Sequence, residues 1–134
     1  MALLQISEPG QSTAPHHHNL ACGIDLGTTN SLVASVMSGQ TRLISDQNNN
    51  SILPSVVHYG QDKMTVGADA YQYTTIDPTN TILSVKRYMG VDYSEASEFK
   101  NLPYKLVKNG NNVSFKTSIG DVSAIEVSAS ILSA

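Results

Sequence analysis

The chain has 134 residues with 8 Lys+Arg against 11 Asp+Glu, one Cys and no Trp, which is enough for one modest domain or part of a larger one. Only 14% of residues are charged and the net charge is −3, so the clustered Lys/Arg needed for a phosphate backbone or a polybasic membrane contact is absent. No apolar run approaches the roughly 20 residues of a bilayer span, and Met1-Ala-Leu-Leu-Gln-Ile6 lacks a basic n-region, so the sequence predicts a cytoplasmic chain without signal peptide or anchor.

Residues 7 to 19 contain Pro9 and Pro15 and no hydrophobic periodicity, and are predicted to be a flexible lead-in. His16, His17 and His18 lie in it without Cys, Asp or Glu at ligand spacing, so they read as a polar triplet and not a metal site. Order is predicted to begin at Leu20. Leu20 to Leu26 reads as a strand, Gly27-Thr-Thr-Asn30 as a turn and Ser31 to Met37 as a second strand. After Ser38-Gly-Gln40, Thr41 to Ser45 is a third, giving an antiparallel meander. Cys22, alone and set in an apolar run, reads as a small core residue in a reducing compartment.

Asp46 to Ser51 is a loop by composition. Ser55 to Tyr59 alternates as a strand with His58 as a strand-face side chain, and Met64 to Val66 is another. Gly67 to Ile76 is predicted to be a short helix closed by Asp77-Pro78, followed by an extended Asn80 to Leu83. Ser84 then caps a turn holding Val85, Lys86, Arg87 and Met89 before Gly90. Tyr104 to Lys108 and Val113 to Thr117 flank Asn109-Gly110-Asn111-Asn112, a hairpin signal. Ser123 and Glu126 form a capping-box pattern ahead of a helix with Val127, Ile131 and Leu132 on one face. That helix reaches Ala134 without a stop signal, so the chain is expected to be cut there.

Glycines spaced G-x-G, G-K-[ST], C-x-x-C, H-E-x-x-H and G-x-S-x-G are all missing, which removes Rossmann cofactors, P-loop folds, structural zinc and serine hydrolases. What remains is Gly23-Ile-Asp-Leu-Gly-Thr-Thr-Asn-Ser31. A carboxylate leaving an apolar strand two positions before a glycine points at the loop mouth, where it can hold a hydrated divalent cation. Gly27 permits close backbone approach to a phosphate, and Thr28 and Thr29 add hydroxyl donors beside consecutive N–H groups. Taken alone, Asp-x-Gly-Thr does not outweigh an ordinary glycine hairpin. Lys86 alone reads as a solvated surface lysine.

The full string resembles the first phosphate loop of the actin, sugar-kinase and heat-shock-chaperone superfamily, and its wording is similar to that of the DnaK-type heat-shock 70 chaperones. Leu53-Pro-Ser-Val56, Val66-Gly-Ala-Asp-Ala70, Asp77-Pro-Thr-Asn-Thr81, Ser84-Val-Lys-Arg-Tyr-Met-Gly90 and Val127-Ser-Ala-Ser-Ile-Leu132 also resemble that family, in order, so the likeness covers residues 20 to 134. It implies an α/β, actin-like (ribonuclease H-like) ATPase fold, present in part as the strands of the first lobe with a small α+β upper subdomain. It implies ATP or ADP with Mg²⁺, Asp25 organising the ion's water shell, Gly27, Thr28, Thr29 and Asn30 at the phosphates, and Lys86 as the catalytic lysine near the γ-phosphate. Arg87 takes no catalytic role.

The extension from Met1 to Gly10 and Leu53 before Pro54-Ser55 resemble the branch of that family devoted to iron–sulfur cluster assembly, as does Val56-Val-His-Tyr59. That branch implies a J-domain co-chaperone and a cluster scaffold protein as partners, with no iron ligands in this chain. A general folding chaperone and a sugar-type kinase are the alternatives, although a kinase is not expected to carry the Asp77 to Gly90 block. The remaining catalytic groups of the family lie beyond position 134, so the isolated chain is expected neither to hydrolyse ATP nor to bind client peptides.

Overall fold

Small and β-branched residues dominate the first described segment, and they extend into strands because they pack on a pleated surface at little entropic cost. The computed structural model describes residues 21–134; the lead-in, the histidine triplet and Leu20 lie outside them. Strand β1 (Cys22–Leu26) pairs antiparallel with β2 (Asn30–Met37), which pairs in turn with β3 (Gln40–Leu43). The meander is therefore as expected, and one further bond from Ile44 N–H to the Val33 carbonyl, 2.8 Å, prolongs its last rung. A two-residue strand, β4 (Leu53–Pro54), was not legible in the sequence; it pairs with Asn30 and Ser31 on the edge of β2 that β3 also occupies.

A second sheet places β5 (Val56–Tyr59) between β6 (Met64–Val66) and β7 (Thr81–Leu83). The predicted helix between β6 and β7 divides into α1 (Ala68–Tyr71) and α2 (Tyr73–Ile76). At the junction the Thr74 and Thr75 hydroxyls donate to the carbonyls of Tyr71 and Gln72, at 2.7 and 3.5 Å, the local back-bonding that competes with a continuous helix. Residues Val85–Tyr88 form a 3-10 turn. Ser84 does not cap it through its side chain: it adopts φ 54°, and its carbonyl accepts from Arg87 N–H at 3.0 Å instead.

The third sheet is the meander β8 (Lys105–Asn109), β9 (Asn112–Thr117) and β10 (Gly120–Ser123), preceded by a one-turn helix, α3 (Tyr93–Ala96). The turn between β8 and β9 is Gly110-Asn111, because Asn109 and Asn112 pair as the last rung. α4 (Ala124–Leu132) opens on the predicted capping box: Ser123 Oγ accepts from Glu126 N–H at 3.2 Å while Glu126 Oε2 accepts from Ser123 N–H at 2.7 Å. Its buried face is Ala124, Val127, Ser128 and Ile131, a spacing of i, i+3, i+4, i+7. Leu132, expected on that face, is half exposed; it is the last residue of the helix.

The core lies between the second and third sheets and α4. Tyr88, Tyr104 and Phe115 meet edge to face, with Phe115 5.0 Å from Tyr88 and 5.2 Å from Tyr104 by ring centroids, geometry favoured by the ring quadrupoles. The Tyr104 hydroxyl lies 3.2 Å from that of Tyr88 and donates to the Leu83 carbonyl, so the buried phenol is bonded. Burial, with Tyr88 adding to it, pushes the Tyr104 hydroxyl well above the usual tyrosine range. The first sheet reaches this core only through Leu26 and Leu53. Ile24, Val36, Met37 and Leu43 are exposed along it, and Cys22, expected in the core, is exposed as well, because nothing among the described residues covers β1.

A polar brace ties the sheets together around Asp77. His58 stacks on Tyr73, ring centroids 3.9 Å apart, and its Nε2 lies 3.1 Å from Asp77 Oδ2. Asn80 Nδ2 donates to both Asp77 oxygens, at 2.9 and 3.0 Å, and Asn80 Oδ1 accepts from Ser118 N–H at 2.7 Å. Burial opposes ionisation of Asp77, yet the bonds from Asn80, His58 and Thr79 together hold its carboxyl below the ordinary 3.8. A carboxyl whose value is lower folded than unfolded stabilises the fold above the unfolded value, and that contribution is lost as pH falls through the folded one. Thermal melts are therefore expected to show stability dropping below about pH 4, and Asp77→Asn is expected to flatten that acid limb.

Candidate functional site

The β1–β2 hairpin presents the acidic and hydroxyl residues singled out in the sequence. Asp25 stands opposite Leu32 near the end of β1, and Leu26 opposite Ser31 is the last pair before the loop. Asp25, Thr29 and Asn30 are exposed, and Gly27 and Thr28 are half-buried. Asp25, Gly27, Thr28, Thr29 and Asn30 thus follow one another through the end of β1 and its loop, three of the five exposed and two half-buried.

The loop is tight, and Gly27 is the reason it can be. A Cβ at this position would lie 2.0 Å from the Asn30 carbonyl oxygen, so the loop closes only around a residue without a side chain. The requirement comes from this close approach and not from a positive φ, which Gly27 does not have.

Two residues that sequence reading left without a role hold the loop from behind. The Ser55 N–H donates to the Thr29 carbonyl at 2.8 Å, and the Ser55 hydroxyl lies 2.9 Å from that of Ser31. Both serines are buried, Ser55 to 1% and Ser31 to 5% exposure. Their partnership joins positions 24 residues apart, so no local pattern announces it; the only sequence hint is a small polar residue between Pro54 and the apolar Val56-Val57.

Lys86 sits apart from the hairpin in sequence but is linked to it by pairing. Val56, next to Ser55, pairs with Leu83, and Leu83 leads through Ser84 into the 3-10 turn that carries Lys86. The left-handed Ser84 swings the chain at this point, an uncommon conformation for a non-glycine residue. Lys86 and Arg87 are exposed. Among the described residues Lys86 makes no ion pair; the one acid–base contact found there joins His58 and Asp77. No hydrogen bond or ion pair among the described residues joins Lys86 to the hairpin; an ammonium and a carboxylate of this kind are each suited to a polyanion and its counter-ion. The apolar groove between the first sheet and the end of α4, lined by Ile24, Leu32, Ile44, Ile52, Ile131 and Leu132 among others, does not include loop residues 27–30.

Comparison with known proteins bears on this geometry. The model of the Hsp70 protein family matches residues 21–134. The chain is 56% identical over 134 residues to a chaperone protein HscA homolog of Aliivibrio salmonicida (strain LFI1238), covering 98% of this chain and 22% of that protein. It is 53% identical over 135 residues to the HscA homolog of Haemophilus influenzae (strain PittGG), covering 99% of this chain and 22% of the relative. A third such homolog, from Actinobacillus pleuropneumoniae serotype 5b (strain L20), is 50% identical over 135 residues. The chain spans about a fifth of the length of these curated relatives, 22% in each case.

Proposed function

The chain belongs to the Hsp70 protein family, and on that premise we propose that it forms part of the ATP-binding and ATP-hydrolysing domain of a molecular chaperone. Residues 20–134 supply first-lobe strands and a small α+β upper subdomain of an actin-like fold, preceded by an extension over residues 1–19. The observation that carries this reading is the hairpin loop closed on Gly27, with Asp25, Thr28 and Thr29 at its mouth and Lys86 tied to it through Val56 and Leu83.

In this reading Gly27, Thr28, Thr29 and Asn30 bind phosphate oxygens through backbone N–H and hydroxyl groups. Asp25 accepts hydrogen bonds from the water shell of Mg²⁺, and the exposed carboxylate suits that task because it is not committed to an ion pair among the described residues. The ion, when bound, would neutralise charge on the phosphate oxygens. Lys86 holds its ammonium toward the charge that develops on the transferred phosphoryl group and orients the attacking water.

HscA homologs are the named chaperones among the relatives, and Leu53 with Val56-Val-His-Tyr59 supports the same branch. We therefore assign the parent protein to iron–sulfur cluster assembly in the cytoplasm, with a J-domain co-chaperone and a cluster scaffold as partners. The isolated chain offers one side of a nucleotide cleft and is inactive alone.

The test is calorimetric titration of Mg·ATP into the 134-residue chain, and into a graft in which the chain replaces the matching 22% of the Aliivibrio salmonicida relative. Each is made with and without Asp25→Ala. The graft is expected to bind and hydrolyse ATP, Asp25→Ala is expected to weaken Mg·ATP binding at least ~10-fold, and the chain alone is expected to do neither. Equal binding by the Asp25→Ala graft would remove Asp25 from the site, and tight binding by the free chain would show that half a cleft suffices.

A further inference from the structure

We propose that Ser55 is a positioning residue for phosphoryl transfer, acting through its hydroxyl partner Ser31 on the loop that holds the phosphates; this rests on the nucleotide reading above. The inference begins with a cost. Two hydroxyls buried to 1% and 5% exposure are unfavourable in an apolar setting unless bonded, and each is bonded to the other, at 2.9 Å. Replacing both by apolar groups of similar size is close to neutral for stability, whereas removing one orphans its partner. Folding alone therefore does not require the pair.

What the pair does require is a fixed relation between the loop and β5. Ser55 holds the hairpin at two places, the Ser31 hydroxyl and, through its amide, the Thr29 carbonyl at 2.8 Å. In a trans peptide the N–H opposes the preceding carbonyl. Fixing the Thr29 carbonyl on Ser55 thus turns the Asn30 N–H to the opposite side, where the Asn30 carbonyl meets Gly27. A donor inside the loop mouth is oriented from outside it.

A chain of bonds and pairings runs from loop to lysine through Ser55. Thr29 is bonded to Ser55, Ser55 precedes Val56, Val56 pairs with Leu83, and Leu83 leads through Ser84 to Lys86. Loosening the serine pair changes where the phosphates sit relative to the ammonium, which affects the transition state more than ground-state binding.

The experiment uses the graft carrying Ser55→Ala, Ser31→Ala, the double variant and Ser55→Cys, with kcat, KM for ATP and Tm measured on each. Ser55→Ala is expected to lower kcat about 10-fold while KM changes less than about 3-fold, the split that separates positioning from uniform binding. The double variant is expected to regain the Tm lost by either single variant but not the kcat, and Ser55→Cys, which keeps a weak donor, to regain part of it. A double variant that recovers kcat together with Tm makes the pair purely structural and overturns the proposal, as does a Ser55→Ala graft with unchanged kcat. If the unsubstituted graft fails to hydrolyse Mg·ATP, the nucleotide reading itself falls and takes this inference with it; if it hydrolyses in an Asp25-dependent way while Ser55→Ala keeps its kcat, only this inference falls.

Discussion

Lys86→Ala in the grafted protein is expected to lower kcat by about 10²–10³-fold, the usual effect of removing one preorganised charge-stabilising donor, while the Kd for Mg·ATP moves less than about 3-fold. The structure makes this substitution clean. Lys86 is exposed on a 3-10 turn whose packing is carried by the buried Val85 and Tyr88, and among the described residues it has no ion-pair partner to orphan. Single-turnover hydrolysis and calorimetric binding read the two quantities separately. Unchanged single-turnover hydrolysis would remove Lys86 from the catalytic role, and parallel loss of binding and turnover would make it a ground-state ligand.

Gly27→Ala is expected to cost about 10²-fold in kcat/KM, the penalty associated with displacing a reacting group by about 1 Å. The added methyl would lie 2.0 Å from the Asn30 carbonyl oxygen; that atom is backbone, so no rotamer change relieves the clash and the hairpin must open. Overpacking of this kind also costs about 1–3 kcal/mol of stability, measurable by denaturant unfolding. Wild-type kcat/KM in this variant would show that the closed loop is not the phosphate cradle. Gly23→Ala is the matched control, because its added Cβ meets nothing within 4 Å.

Strands with alternating or β-branched residues and strong turn residues were legible in advance: the opening meander, the strands around Tyr59 and Val66, the hairpin near Gly110 and the capped last helix. Each is specified by contacts a few residues apart. β4 and β10 were not, since Leu53–Pro54 is two residues long and Gly120-Asp-Val-Ser123 contains one large apolar residue; both are strands because a longer neighbour offers them an edge. Ser84 misled for a related reason. A serine before an apolar turn resembles a cap, but here, directly after the pairing of β7 with β5 ends, Ser84 is left-handed and its side chain makes no cap bond. Cys22 looked buried because its neighbours are apolar, although local composition cannot say whether a sheet face will be covered.

The candidate site divides in the same way. Asp25, Gly27, Thr28 and Thr29 are adjacent in the chain, so their convergence could be read directly from the string. Ser31 and Ser55 could not, for their relation exists only once β4 has paired with β2.

The exposed thiol of Cys22 has a practical consequence. It is the sole cysteine of the chain and lies on β1, three positions before Asp25 and on the strand that leads into the loop. A fluorophore coupled there needs no engineered attachment point and no removal of competing thiols. Its emission would report, in real time, when the uncovered sheet acquires a neighbour.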